Sequence, residues 1–425
     1  MTKASFSDTA RVAAQILTPT LAGGVIKRRP RAMAVAERLQ LDRAGIRLLQ
    51  RLRARYHGQP VRLRMPGRSV SVVLEHGDAG SLLARTPSPF SPATREKTAA
   101  LSHFQPHGVL ISGDGLRAAR REFTEKVLEP GRALHELAAP WAERITRRAS
   151  ELPADGLDWD TFSARWWQLV REITLGGDTA EDQELTELLG KLRLAANWAY
   201  GRPKRHHLRD RFLHLVRRQV ALDRPGSLAA ALNATPAAPG TDPAGQVPHW
   251  LFAFDAAGIA TFRALALLAA HPEAAARARA EATDLAGPRQ LPFLRACVLE
   301  SVRLWPTTPA LLRESTTDTS RGRKGTTFLV FTPFFHRDGQ QLPYADRFDP
   351  DIWLDGRAAA EPALVPFSAG PGACPGRDVV LYTTSMLLAG LVRREWSTDK
   401  NLPPGYLPAT LDHFTLRFGP ARPRR

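Results

Sequence analysis

Residues 367–377 read Phe367-Ser368-Ala369-Gly370-Pro371-Gly372-Ala373-Cys374-Pro375-Gly376-Arg377. A single cysteine stands among small residues, directly ahead of a segment with helical character that begins near Asp378. Glycines let the backbone come close to the sulfur, amide N–H groups can point at it, and the helix N-terminus beyond favours negative charge. A buried structural cysteine has no use for so many glycines and prolines. The segment reads as a loop built to hold a thiolate.

Composition sets the class of molecule around that loop. Of 425 residues, 43% are hydrophobic and 24% charged, the balance of a globular chain. Two cysteines, Cys297 and Cys374, make no disulfide scaffold, and Cys297 reads as a small core residue. Apolar runs break within about a dozen residues, short of the roughly 20 needed to span a bilayer. The N-terminus, with only Lys3 and Arg11 near its short apolar patch, makes a poor signal peptide. The expectation is a cytoplasmic protein without a membrane anchor. The formal charge of +17 favours acidic partners, polyanions or anionic surfaces. Nucleic acid is set aside because the basic residues are spread along the chain, with no zinc-finger spacing, RNA-binding aromatic signature or basic zipper.

Outward from the loop, the pattern is mostly helical. Residues 31–55 have the three- and four-residue spacing of an amphipathic helix, and PVRLRMPGRSVSVVLEH (60–76) alternates around a Pro-Gly turn as a hairpin does. Residues 86–115 read as a long functional loop, 116–220 as helices, and the Pro/Gly/Ala-rich 222–248 as a connection. A long apolar helix is predicted over 249–270, another opening at His271-Pro272-Glu273, and one more over 291–305. Nothing repeats at a fixed period. The fold class is mainly α with a small β portion: one large domain over residues 31–425, behind a loosely packed N-terminal extension at 1–30.

The loop matches the pattern FxxGxxxCxG, and from about residue 30 onward the chain resembles the cytochrome P450 family. The resemblance implies a P450-like fold, heme b as cofactor and Cys374 as the axial ligand to its iron, with Phe367, Gly370 and Gly376 shaping the loop; a thiolate there favours O–O cleavage. Glu300 and Arg303, three residues apart on one helix, resemble the family's structural ExxR pair. The Arg that the family adds later is replaced by Ile352 in Phe348-Asp349-Pro350-Asp351-Ile352-Trp353. Arg313 and Arg120 stand where the family holds heme propionates, with Arg121 next in register; Leu116 and Gly372 replace two usual partners.

For the distal helix the resemblance leaves two registers open. Counting back from His271-Pro272 places Ala253 at the small position, Asp255 at the acid and Ala256 where the family has threonine. The other uses Ala257-Gly258-Ile259-Ala260-Thr261, keeping Thr261 and losing the acid. An aspartate in an apolar helix is costly unless paired or functional, which favours Asp255 as a catalytic residue beside the alternative of a helix-structuring salt bridge. Phe104, His107 and Val109 are candidate pocket residues, and His336-Arg337-Asp338 resembles a structural turn of the family.

The resemblance implies a monooxygenase that inserts one oxygen atom from O2 into a small organic substrate, reduced by an acidic ferredoxin or flavodoxin. The missing acid–threonine pair implies one alternative, peroxide use, oxidative coupling or desaturation; another, of a different class, is a heme-binding sensor or carrier without turnover.

Overall fold

The computed structural model describes residues 2–421. The chain divides into two compact units: Met1–Arg95, Leu299–Cys374 and Pro403–Asp412 make the first, and Glu96–Val298, Pro375–Leu402 and His413–Arg425 the second.

The first unit is organised by a six-stranded sheet of strands β1 (Thr2–Lys3), β2 (Val61–Arg62), β3 (Val70–Val72), β4 (Phe90–Ser91), β6 (Ala310–Ser315) and β7 (Thr327–Phe331), while β5 (Leu157–Asp158) belongs to the second unit. The sheet order is β1-β2-β3-β7-β6-β4. The central β7, Thr-Phe-Leu-Val-Phe, is buried throughout and pairs parallel to β3 and antiparallel to β6. An unbroken apolar run is what a strand covered on both faces requires. β6 alternates instead, and places Arg313 opposite Phe328. The predicted hairpin is present, with Val61 opposite Val72. Helices α1 (Pro30–Leu39), α2 (Leu41–Arg55) and α3 (His76–Ala84) belong to this unit; Leu48, Leu49, Leu52, Leu82 and Leu83 enter its core with Leu329 and Phe331.

The first thirty residues depart from expectation. β1 joins the sheet, and Ala4, Val12 and Ile16 are buried in the same core. The extension is packed because its short apolar patch supplies a layer that the sheet edge and α2 lack.

The second unit holds helices α4 (Asp114–Leu128), α5 (Ala138–Ser150), α6 (Trp159–Leu175), α7 (Gln183–Ala196), α8 (His206–Ala221), α9 (Val247–Ala270), α10 (Pro272–Glu281) and α12 (Arg377–Val392); α11 (Pro292–Leu304) contributes to both units. β5, β8 (Trp396–Thr398) and β9 (Arg417–Pro420) form a small sheet in the order β5-β9-β8. α9 packs against α6 and α12. Rings of Phe162, Phe262 and Phe418 meet at 4.8 and 4.9 Å between neighbours.

Two segments read as loops contain helices, Arg95–Leu101 and Leu228–Ala234. The second is started by Ser227, whose side chain accepts from the Ala230 amide at 3.1 Å. Flanking Pro and Gly hid that cap. One apolar expectation also changes. Ala244–Ala270 is long and apolar enough to cross a membrane, and 78% of its most apolar window is buried inside the protein. Asp255 and Arg263 interrupt the run in sequence, but the rest of the helix stays strongly apolar.

Candidate active site

In the first unit, Cys374 lies at the end of a loop pinned by its own backbone: the Cys374 amide donates to the Phe367 carbonyl at 2.9 Å. The thiol is in no disulfide and is partly exposed. Gly370 has φ +62, and a Cβ there would sit 2.5 Å from the Leu83 carbonyl oxygen of α3. Only glycine meets both demands. A Cβ at Gly372 would lie 2.9 Å from Arg313 Nη2 and 3.0 Å from Thr86 Cγ2, so the loop passes closely over a buried guanidinium. Arg313 donates to Thr86 Oγ1 at 2.9 Å and to Ser368 Oγ at 3.1 Å.

Behind the loop sits the pair Glu300 and Arg303, both completely buried. Arg303 forks onto the carboxylate at 2.6 and 2.7 Å and donates to the carbonyls of His336, Tyr344, Ala345 and Arg347. Ile352 supplies no donor, but its neighbour does: Trp353 Nε1 donates to Glu300 Oε2 at 3.0 Å, and the Asp349 amide to Oε1 at 2.9 Å. Every lone-pair direction a buried carboxylate needs filled is thus occupied without the third arginine. The His336-Arg337-Asp338 turn is equally fixed. Arg337 pairs with Asp346, and Asp338 accepts from Gln50 and Arg53, which with His76 hold its carboxyl below the ordinary range despite burial.

In the second unit, α9 is buried over most of its length but opens within its first half. His249, Phe252, Ala253 and Ala256, spaced i, i+3, i+4 and i+7, form a single partly exposed stripe, with Asp255 at its flank. Asp255 pairs with Arg193 of α7, whose side chain is 2% exposed. Gly258 and Thr261 lie elsewhere on the helix. A Cβ on Gly258 would sit 2.7 Å from Trp166 Nε1, and the same indole donates to the Phe254 carbonyl at 2.8 Å. Thr261 is fully buried and its hydroxyl donates back to the Ala257 carbonyl at 2.9 Å. Packing against Trp166 thus accounts for the glycine of the second register, while the stripe carries Ala253 and Ala256 of the first, with Asp255 beside it.

Arg120 is buried and spends its donors on the Gly240 carbonyl and Ser112 Oγ. Gly376 directly precedes α12 and approaches Leu128. Of the candidate pocket residues, Phe104 packs on Phe252 with rings 5.4 Å apart, and His107 pairs with Asp242. Val109 opens a short turn whose carbonyl accepts from Arg117. Sequence reading passed over Arg193, Trp166, Trp353, His103 and Gln105. Arg193 alone carried a signal: it interrupts the apolar face of Leu185, Leu188, Leu189, Leu192 and Ala196.

The donor set decides what such a loop can hold. Among the described residues no group of three His, Cys, Asp or Glu side chains is placed to hold a metal ion. A lone thiolate in a glycine cradle fits a metal that arrives with its own equatorial ligands, as heme iron does. Comparisons with known proteins agree. The cytochrome P450 sequence pattern matches residues 253–404. Cyclooctat-9-en-7-ol 5-monooxygenase of Streptomyces melanosporofaciens is 32% identical over 144 residues, 31% of each chain. Cytochrome P450 714C3 of Oryza sativa subsp. japonica is 34% identical over 147 residues, 31% of this chain and 29% of that one. The chain thus spans about a third of the length of these relatives. The structure titled "Retinoic acid bound cyanobacterial CYP120A1" superposes with TM-score 0.68 at 18% identity, covering 87% of this chain and 93% of its own. A second cytochrome P450, CYP102L1, gives 0.69 at 18%, covering 88% and 93%. From the distal helix through the cysteine loop the chain is thus similar in sequence to the cytochromes P450, whose cofactor is heme b, and it shares their fold.

Proposed function

We propose that the protein is a heme-thiolate monooxygenase that places one oxygen atom from O2 on a small organic substrate. The observation that carries this reading is Cys374 in its glycine cradle. Heme bound there would supply oxygen activation, favoured by a thiolate ligand. The chain's own residues do the rest. Phe367, Gly370 and Gly376 keep the loop in the conformation that presents the sulfur, and Glu300 with Arg303 anchors the segments behind it. Arg313 and Arg120 would be the cations for the heme propionates. Ala253 leaves room on the open stripe of α9. Asp255, paired with Arg193 at the flank of that stripe, is the residue proposed to relay protons. Ala256 offers no hydroxyl, and Thr261 is the remaining alcohol on this helix. The catalytic fold takes in the first thirty residues.

The proposed electron donor is an acidic ferredoxin or flavodoxin, and the proposed setting is the cytoplasm. The charge of +17 supports the donor's sign. Electron-transfer rates from such a donor should then fall steeply as ionic strength rises from about 0.01 to 0.15 M, where the screening length shortens from roughly 30 to 8 Å. A rate indifferent to salt would exclude an acidic donor.

The central test is spectroscopic. The reduced, CO-bound holoprotein should show the red-shifted Soret band of thiolate ligation, and Cys374→Ser should lose it. Absence of the band in the wild type would defeat the reading. Turnover faster with peroxide than with O2 and a reductant would instead favour the peroxide-using alternative, for which the lack of a hydroxyl at Ala256 argues.

A further inference from the structure

The fold of the second unit buries polar groups that no protein atom satisfies. His103 is 1% exposed and both of its ring nitrogens lack a partner. Two residues on, Gln105 is fully buried, and its Nε2 also lacks one. Its Oε1 is engaged by His249 Nδ1 at 2.8 Å. Turning the amide over would leave the oxygen orphaned instead, so one unsatisfied atom remains either way. Each such group is costly in a folded interior, and native proteins keep few of them without a use.

The segment is held firmly, so the orphaned atoms are not products of a loose loop. Phe104, between the two residues, packs on Phe252. Gln246 donates to the His107 and Thr241 carbonyls at 2.9 and 3.0 Å, tying the loop to the start of α9. His249 and Phe252 belong to the open stripe that continues to Ala253 and Ala256. The unsatisfied groups therefore flank the end of the surface on which the reaction is proposed to occur.

Their chemistry selects a ligand. The Gln105 Nε2 offers two N–H donors and His103 at least one, against a single imidazole lone pair. The set is donor-rich and asks for an acceptor-rich partner. A second observation gives the sign of charge. The exposed run Arg202-Pro203-Lys204-Arg205-His206-His207 leads from the α7–α8 connection into α8. Lys204, Arg209 and His206 act on His103 electrostatically, after burial itself the next causes that hold its imidazole below the ordinary value. A positive approach beside buried donors is the arrangement an anion would select.

We propose that His103 and Gln105, backed by His249, form a subsite for the carboxylate of the substrate, so that the protein oxidises organic acids. The inference deepens the monooxygenase reading and rests on it. His249 precedes Ala253 by four residues and Ala256 by seven, about 6 and 10 Å along the helix axis. The oxidised carbon accordingly lies one to two helix turns from the anchored acid.

The test is a set of matched pairs, straight-chain and phenylalkanoic acids with their methyl esters, titrated into the full-length ferric holoprotein by heme absorbance and by calorimetry. At least one acid should bind tenfold or more tightly than its ester, the discrimination expected when a charged hydrogen-bonding group is lost. His103→Phe and Gln105→Leu should erase that preference while ester affinity holds within about threefold. The double change Lys204→Ala and Arg209→Ala should weaken acid binding several-fold at low salt only. Equal affinities for acids and esters across the wild-type panel would overturn the proposal. A preference that survives both His103→Phe and Gln105→Leu would do the same, leaving ordered water as the occupant. Should the buried variants not fold, the wild-type ratios and the surface variant decide. Calorimetry reads acid binding without the heme spectrum, and the CO spectrum reads thiolate ligation without any substrate, so the two readings fail separately.

Discussion

Asp255 shows how much a single side chain can carry. On an apolar helix an unpaired carboxylate is costly, and here Arg193 meets it. Its backbone position flanks the open stripe of α9, and on the proposed reading the residue also relays protons. Asp255→Asn should lower O2-dependent turnover about a hundredfold, the scale of a lost proton-transfer group. Substrate affinity and the CO spectrum should stay unchanged, and single-turnover kinetics check the split. A purely structural pair would instead lower thermal stability with no selective loss of turnover. Trp353 is a smaller case of compensation. Its indole donates to the fully buried Glu300, and Trp353→Phe should cost about 1.5–3 kcal/mol in denaturant unfolding, as removal of a hydrogen bond to a charged group does. Ile352 signalled a missing donor in the sequence. Which neighbour replaced it was not legible there, because the choice depends on how the chain turns at Pro350.

Among the elements, α9 was readable in existence and length, since its apolar run exceeds any strand and His271-Pro272 closes it. Its rotation was not readable. Hydrophobic residues surround the helix, so periodicity cannot say which side meets α6 and which side opens. Trp166 settles the matter by filling the space over Gly258. Gly258→Ala should therefore overpack the α6–α9 contact and cost about 1–3 kcal/mol, measured as a shift in denaturation midpoint. Ala256→Thr, on the partly exposed stripe, should be tolerated. If both are neutral, the helix is rotated differently from what the structure shows. The helices Arg95–Leu101 and Leu228–Ala234 stayed hidden for another reason. Each is seven residues long, too short to display a period, and marginal without tertiary packing.

Across the whole molecule, buried histidines tie stability to pH. Burial, with the positive charge of Arg303 next, pushes His336 down to about 3, and burial pushes His249 down to about 4. His103 and His271 are displaced in the same direction. Each is neutral in the native state at pH values where the unfolded chain already binds a proton. The stabilisation is complete above about pH 6.5 and is lost as pH falls below it, by up to about 1.4 kcal/mol per unit for each residue. Unfolding free energy should hence decline from pH 6.5 towards 4, and His249→Gln should flatten that slope. His76 works in the opposite sense. Asp338 and Glu361 overcome its burial and raise its proton affinity, so its contribution fades as pH rises.

The sequence by itself determined the class of fold, the cysteine loop, the Glu300–Arg303 pair and the long apolar helix. Those features are local: they depend on residue types within a few positions of one another, where sterics, capping and spacing act directly. Only the tertiary structure decided what pairs with Asp255, what completes the hydrogen bonding of Glu300, which face of α9 is open, and that Ala4, Val12 and Ile16 are core. Those partners are distant in sequence, and Arg193 and Asp255 are 62 residues apart. Burial and the pairing it enforces are properties of the packed chain, and no local pattern encodes which distant side chain will arrive to satisfy a buried charge.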